Sequence, residues 1–381
     1  MNELKQLPVE AKHGKSKTDW AYYARLAGMA AVASVSAFSF AYAPRITEKS
    51  LHAFESVRFR NWAIKNNEDQ SHVSAVDAWK IEQGSHDVIV AVIDTGIDPN
   101  HPDIQPNLWR DPKNPKVYGW DFVKNEANPV DDHGHGTHVA GIIGAVLNPK
   151  TGTAGIAQKV SILPVRYYSD ANPGPVNLRN TIRAIEYAVS KGAKIINYSG
   201  GGPEFSEEEY LAIKKAEAQG VFFVAAAGNE KQNTDLVQNY YYPSAYRLSN
   251  ILSVAATDIH NQLLKSSNWG KVRVDVTAPG ENIYSTLPMN KGKYGFMSGT
   301  SQATAVVTGL AALMLSKNPK LKPHELKRLI IATVDKFPQL ESKVASSGRV
   351  NAYRALTALL PNSGNRVAAG FRAKPLPIGV R

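Results

Sequence analysis

The apolar positions of this chain fall into two alternating patterns. Val88-Ile-Val-Ala-Val-Ile93 is an unbroken apolar run that ends at Asp94-Thr-Gly96, and a run with no polar face predicts a strand buried on both sides in a parallel sheet. Comparable runs follow at Val160 to Val165, Lys194 to Tyr198, Val221 to Ala226 and Ile251 to Ala256. Helical patterns occupy Gly136 to Leu147, Leu178 to Ser190, Ser206 to Ala218, Ser301 to Ser316 and Pro323 to Val334. Strands alternating with helices predict an α/β fold: a doubly wound, mostly parallel sheet with helices on both faces and sites outside the carboxyl ends of its strands. Asp94 then lies at such an end.

Outside this region, Leu26 to Ala43 is charge-free and rich in Ala and Ser, and it follows Lys12, Lys15, Lys17 and Arg25. That pattern reads as an export signal. Its length reaches the lower limit for a spanning helix, so an uncleaved membrane anchor is the alternative. Ser39-Phe-Ala41 offers a cleavage site that Ala41-Tyr-Ala43, followed by Pro44, does not. Residues 44–59 form a linker or short pro-segment too short to bury a core of its own. Residues 60–360 are expected to form the α/β domain. Residues 361–381 carry Arg366, Arg372, Lys374 and Arg381 with no acid, a basic tail. The expectation is an exported protein, secreted or held at the membrane by residues 26–43.

Composition narrows this picture only modestly. Hydrophobic content of 43% and charged content of 20% are those of a globular chain. The net charge of +11 invites a nucleic-acid partner, but the basic residues are scattered, with no RNA-binding motif and no basic stripe interleaved with aromatics. A solvated surface accounts for them. The absence of cysteine excludes disulfides, an iron–sulfur centre and a thiol nucleophile.

The candidate chemistry sits in three short signatures: Val92-Ile-Asp-Thr-Gly-Ile-Asp98, His135-Gly-Thr-His-Val-Ala-Gly141 and Ser298-Gly-Thr-Ser-Gln-Ala303, with Ala225-Ala-Ala-Gly-Asn229 before the last. A serine hydroxyl needs a base within hydrogen-bond reach and a third group that holds the base in the right tautomer. Ser301, His135 and Asp94 supply those types in the order Asp, His, Ser. Taken singly, each reads more simply as a cap or a core residue; their order and neighbours together favour catalysis. His135 and Ser301 fall at predicted helix starts, where the dipole helps keep an imidazole neutral and favours developing negative charge. Two alternatives stand beside this reading. His133, His135 and His138 beside Asp131 and Asp132 could suggest a zinc hydrolase, which would leave the Asn229 and Ser301 signatures unexplained. A silent peptide-binding module would not need the intact triad.

These signatures, with Gly348-Arg-Val-Asn-Ala352, resemble the subtilisin-like serine peptidases from about Trp62 to Leu360. The resemblance implies an endopeptidase acting on protein or peptide chains through an acyl-enzyme on Ser301. His135 would be the general base and acid, Asp94 its orienting group, and Asn229 with the Ser301 amide the oxyanion donors. Substrate is expected as an added strand along Ser199, Gly200 and Gly201, facing Ala226, Ala227 and Gly228. Gly200 replaces a larger apolar residue, which predicts a more open pocket wall, although a glycine run also suits a turn. Structural calcium is implied at Asp103 with Asn148 and at Asp121, Glu126 and Asn128. Gln302 and Ala305 stand where methionine and proline are usual. A monomer is expected.

Overall fold

The structure, a computed structural model, describes residues 57–65 and 71–361. The apolar run 26–43, nearly all of the 44–59 linker and the tail beyond Pro361 lie outside the described residues. Within them, no helix is long and apolar enough to cross a membrane.

The strands are β1 (Gly84–Asp94), β2 (Trp120–Asp121), β3 (Glu126–Ala127), β4 (Lys159–Arg166), β5 (Ile195–Tyr198), β6 (Phe222–Ala226), β7 (Ile251–Thr257), β8 (Val276–Pro279), β9 (Ile283–Thr286), β10 (Tyr294–Met297), β11 (Asp335–Lys336) and β12 (Gly348–Arg349). Ten of them form one sheet in the order β11-β12-β8-β7-β6-β5-β1-β4-β2-β3, and β9 pairs with β10 apart from it. Only the outermost pairs of the large sheet, β2 with β3 and β11 with β12, are antiparallel. The helices are α1 (Ala75–Ala78), α2 (His135–Gly144), α3 (Gly174–Ser190), α4 (Glu207–Ala218), α5 (Thr300–Lys317), α6 (Pro323–Ala332) and α7 (Ala352–Thr357).

The apolar run of β1 is buried on both faces because side chains alternate across a strand. Val88, Val90 and Val92 pack with Val139, Ile142 and Ile143 of α2 and with Val306 and Leu310 of α5. Ala91 and Ile93 pack with Ala184 and Ile185 of α3 and with Ile213 of α4. Helix α5 is buried from Thr300 to Leu315, so it has no wet face and behaves as a core element. Its hydroxyls are satisfied internally: Thr304 Oγ1 donates to the Thr300 carbonyl (2.7 Å) and Thr308 Oγ1 to Asn197 Oδ1 (2.8 Å). Truncating Leu310 to Ala in such a core costs about 2–5 kcal/mol.

The expected α/β alternation is present, with two differences. Helix α2 stops at Gly144 rather than Leu147, because Ala145 turns extended and its carbonyl accepts the Gly155 amide at 2.7 Å. Helix α3 begins at Gly174, ahead of the apolar spacing that starts at Leu178. The sheet order places β1 between β4 and β5, so the chain leaves β1 to one side and returns to the other. The carboxyl end of β1 is therefore the switch point at which a doubly wound sheet opens a crevice.

Candidate active site

Asp94 is the last residue of β1 and is 4% exposed. Its Oδ1 accepts the Thr95 amide at 2.8 Å and lies 2.7 Å from Nδ1 of His135, the first residue of α2. The start of α2 is capped from a distance, since its N-cap is Gly134, which offers no side chain. Asp131 does this work with five hydrogen bonds: Oδ1 accepts from Thr95 Oγ1, the His133 amide and the Gly134 amide, and Oδ2 accepts from the Thr137 amide and Thr137 Oγ1. Thr95 Oγ1 in turn accepts the Gly136 amide at 2.9 Å. Orphan amides at a helix start need such acceptors. Asp131 was absent from the sequence-derived site, although a carboxylate four residues before a helix start is the available signal.

The His135 side chain is 24% exposed. Burial pushes its pKa down, but the charge and hydrogen bond of Asp94, with the charge of Asp131, more than offset it and leave the imidazole raised. The expectation that the helix start keeps this imidazole neutral therefore needs correction. Two nearby carboxylates act in the opposite direction and outweigh the effect of burial.

Ser301 is the second residue of α5 and is 6% exposed. Its Oγ donates to the Ser199 carbonyl at 3.1 Å, not to His135. The carboxylate–imidazole link is thus made, whereas the Ser301 hydroxyl bonds to a backbone carbonyl instead of the imidazole, a looseness common in sites without substrate. Asn229 follows the end of β6, and its Oδ1 accepts both the amide (2.9 Å) and Oγ1 (3.2 Å) of Thr300. That anchoring uses the acceptor of the side-chain amide and not its donor, Nδ2. The Ser301 amide, in the first turn of α5, has no intrahelical acceptor.

The two segments expected to hold substrate flank this point. At Gly202 the backbone is already paired with Tyr242 (3.0 and 2.7 Å), which leaves Ser199, Gly200 and Gly201 as the remaining edge. On the other side Ala226 and Ala227 are buried and Gly228 leads to Asn229. The expected open wall at Gly200 is not found: a Cβ there would lie 2.1 Å from the hydroxyl of Tyr167, which fills the space. A Cβ on Gly201 or Gly228 would meet the ring of Tyr241, at 2.4 and 3.0 Å. Tyr167 and Tyr241 were not foreseen, since neither is near these glycines in sequence.

The histidines do not form a metal centre. His135 is engaged by Asp94, and His138 is fully buried with Nε2 3.2 Å from the Gly295 carbonyl, its pKa pushed down to about 4 by burial. His133 only faces the His135 ring edge-on. In the two oxygen-rich loops most of the candidate calcium donors meet protein partners. Asp103 is taken by the Asn148 amide nitrogen (3.0 Å) and the Tyr294 hydroxyl (2.8 Å). Asp121 accepts the Val123 and Lys124 amides and faces Arg166, Asn128 bonds to Tyr118 and Lys116 of the backbone, and Glu126 points to solvent. Among the described residues, no group of three or more His, Asp or Glu side chains is placed to hold a metal ion.

The model of the subtilase family matches residues 85–355. Thermitase of Thermoactinomyces vulgaris is 39% identical over 284 residues, covering 74% of this chain and 93% of that protein. A thermophilic serine proteinase of Bacillus sp. strain AK1 is 39% identical over 280 residues, 74% of this chain and 64% of its own length. Among solved structures, a protease of Pseudoalteromonas arctica PAMC 21717 superposes with a TM-score of 0.68 at 27% identity, covering 80% of this chain and 98% of that one.

Proposed function

The chain belongs to the subtilase family and is a serine endopeptidase, and from that premise we propose that Ser301 is its nucleophile, His135 its general base and acid, Asp94 the orienting carboxylate and Asn229 an oxyanion donor. The observation that carries this reading is the 2.7 Å contact of Asp94 with His135 Nδ1, which fixes the tautomer and leaves Nε2 for the Ser301 proton. A peptide lies extended along Ser199 to Gly201. Ser301 Oγ leaves its bond to Ser199, passes its proton to His135 Nε2 and attacks the scissile carbonyl. The new oxyanion is met by Asn229 Nδ2 and the Ser301 amide. His135 then protonates the leaving amine, and water repeats the sequence to release the acid.

The peptidase domain is assigned to residues 60–360. Charge-free residues 26–43 support export or anchoring, so the peptidase acts outside the cytoplasmic membrane. Calcium draws little support from the two oxygen-rich loops, where Asp103, Asn148, Asp121 and Asn128 bond to protein partners and Glu126 alone faces solvent. The test is covalent: a fluorophosphonate should label the full chain at Ser301 and lose all labelling in Ser301→Ala, together with peptide hydrolysis. Labelling at another residue, or wild-type turnover in the variant, would sink the assignment.

A further inference from the structure

Arg166 ends β4 in register with Asp94 of β1 on one side and Asp121 of β2 on the other. Its side chain is 5% exposed, and a guanidinium remains charged in such a place, so its surroundings must compensate it. Nη2 donates to both carboxylate oxygens of Asp132, at 3.0 and 2.9 Å. Nη1 lies 3.4 Å from the Val130 carbonyl and 3.6 Å from Asp121 Oδ2, and Nε lies 3.5 Å from the Tyr168 carbonyl. Five oxygens from four residues thus converge on one positive group, the kind of shell that a hard cation collects.

The location of those oxygens gives the shell its meaning. Val130 and Asp132 are the immediate neighbours of Asp131, whose carboxylate fixes Thr95, Thr137 and the His133 and Gly134 amides. No helix or strand holds the segment between β3 and α2. The guanidinium grips both sides of the residue that caps the helix of His135, and it does so from the strand that pairs with Asp94.

We propose that Arg166 is an internal cation that positions the catalytic base, doing for the loop before His135 what a bound ion does for a loop of oxygen ligands. It touches neither substrate nor reacting atoms, so it acts as a positioning residue, and the proposal rests on His135 being the base. Charge, and not volume alone, is then what the site requires. Arg166→Met keeps most of the side chain without the charge, whereas Arg166→Lys keeps the charge without the fork.

The experiment compares both variants with the wild type as full chains, measuring kcat and KM on one peptide substrate. Arg166→Met should lose about ten- to a hundredfold in kcat with KM within about twofold, the signature of a slightly misplaced base. Arg166→Lys should lose clearly less. In Arg166→Ala, low-millimolar guanidinium chloride should raise kcat about threefold or more over matched sodium chloride, by refilling the shell. Equal losses in Met and Lys, a loss carried by KM, or no response to guanidinium would each overturn the proposal. Asp132→Ala covers the case of misfolding, because that side chain is 63% exposed; it should lower kcat in the same direction, and an unchanged kcat counts against the proposal. Fluorophosphonate labelling of the wild type separates the two levels. Absent labelling removes the base itself, whereas normal labelling with Met and Lys variants of equal activity removes only the role of Arg166.

Discussion

The two halves of the proposed catalytic centre are built differently. On the base side, Asp94, Asp131 and Arg166 hold a web of short bonds that fixes the start of α2 before any substrate arrives. On the nucleophile side, Ser301 Oγ has a single bond to the Ser199 carbonyl, and Asn229 is tied only through its Oδ1. The contrast follows from what each half does during turnover. An imidazole in the wrong tautomer is useless, so its orientation is fixed beforehand. The hydroxyl and the oxyanion donor change partners at each step, and a strong resting bond would have to be broken every time.

Asp94→Asn attacks the fixed half and should have the largest effect. An amide can hold the imidazole in the wrong tautomer, a change worth about 10⁴ in kcat in a serine peptidase triad. It also removes the main influence raising the pKa of His135 and leaves burial, which lowers it. A base works only when neutral, so wild-type activity falls as pH drops through the raised value. The residual activity of Asp94→Asn should therefore persist to lower pH. A kcat/KM profile whose acid limb stays in place would mean that another group titrates, and the contrast between the halves would collapse.

Asn229→Ala attacks the mobile half. Loss of one oxyanion donor costs about 10²–10³ in kcat, the range known for the corresponding side chain in subtilisin, with little change in KM. This substitution also removes the acceptor of the Thr300 amide, so some stability is lost with it. Asn229→Asp keeps that acceptor while turning the donor into an anion, and it should be at least as inactive while melting nearer the wild type. If activity instead followed melting temperature across the two variants, Asn229 would be a structural residue and the lightly tethered half would have no catalytic donor there.

The fixed half was only partly legible in the sequence. Strand β1 could be read because burial on both faces leaves an unbroken apolar run, and Asp94, His135 and Ser301 sit in local signatures. Asp131 left only the local signal of a carboxylate just before a helix start, whereas Arg166 could not be placed, because its role depends on the register of β4 against β1 and β2 and not on any local spacing. The short strands at the sheet edges and the Val-Thr-Ala-Pro strand β8 carry too few residues to show a period. Oxygen-rich loops reveal ligand atoms but not their partners: Asp103 meets a tyrosine hydroxyl from β10, and Asp121 a guanidinium from β4. The pocket failed for the same reason, since a glycine shows where a side chain is missing and not which distant ring fills the gap.

Tyr241 offers the finest test of the mobile half. Its ring approaches the open sides of both Gly201 and Gly228, the segments that flank Ser301 and Asn229. A peptide carbonyl placed between Ser301 Oγ and Asn229 Nδ2 would direct the side chain before the cut between those segments, where the ring already stands. Burial, reinforced by the charge of Glu230, pushes the Tyr241 hydroxyl well above its ordinary pKa, so the ring fills space without adding charge. The wild type should thus favour small side chains, such as Ala or Ser, before the cut. Tyr241→Gly should shift the ratio of kcat/KM for Phe over Ala at that position by about tenfold or more, because a few methylenes of pocket space already discriminate on that scale. Cleavage-site profiling of both proteins on a denatured proteome reads this directly. A wild type that already prefers large aromatic residues, or a variant with an unchanged profile, would place the ring outside the substrate's path.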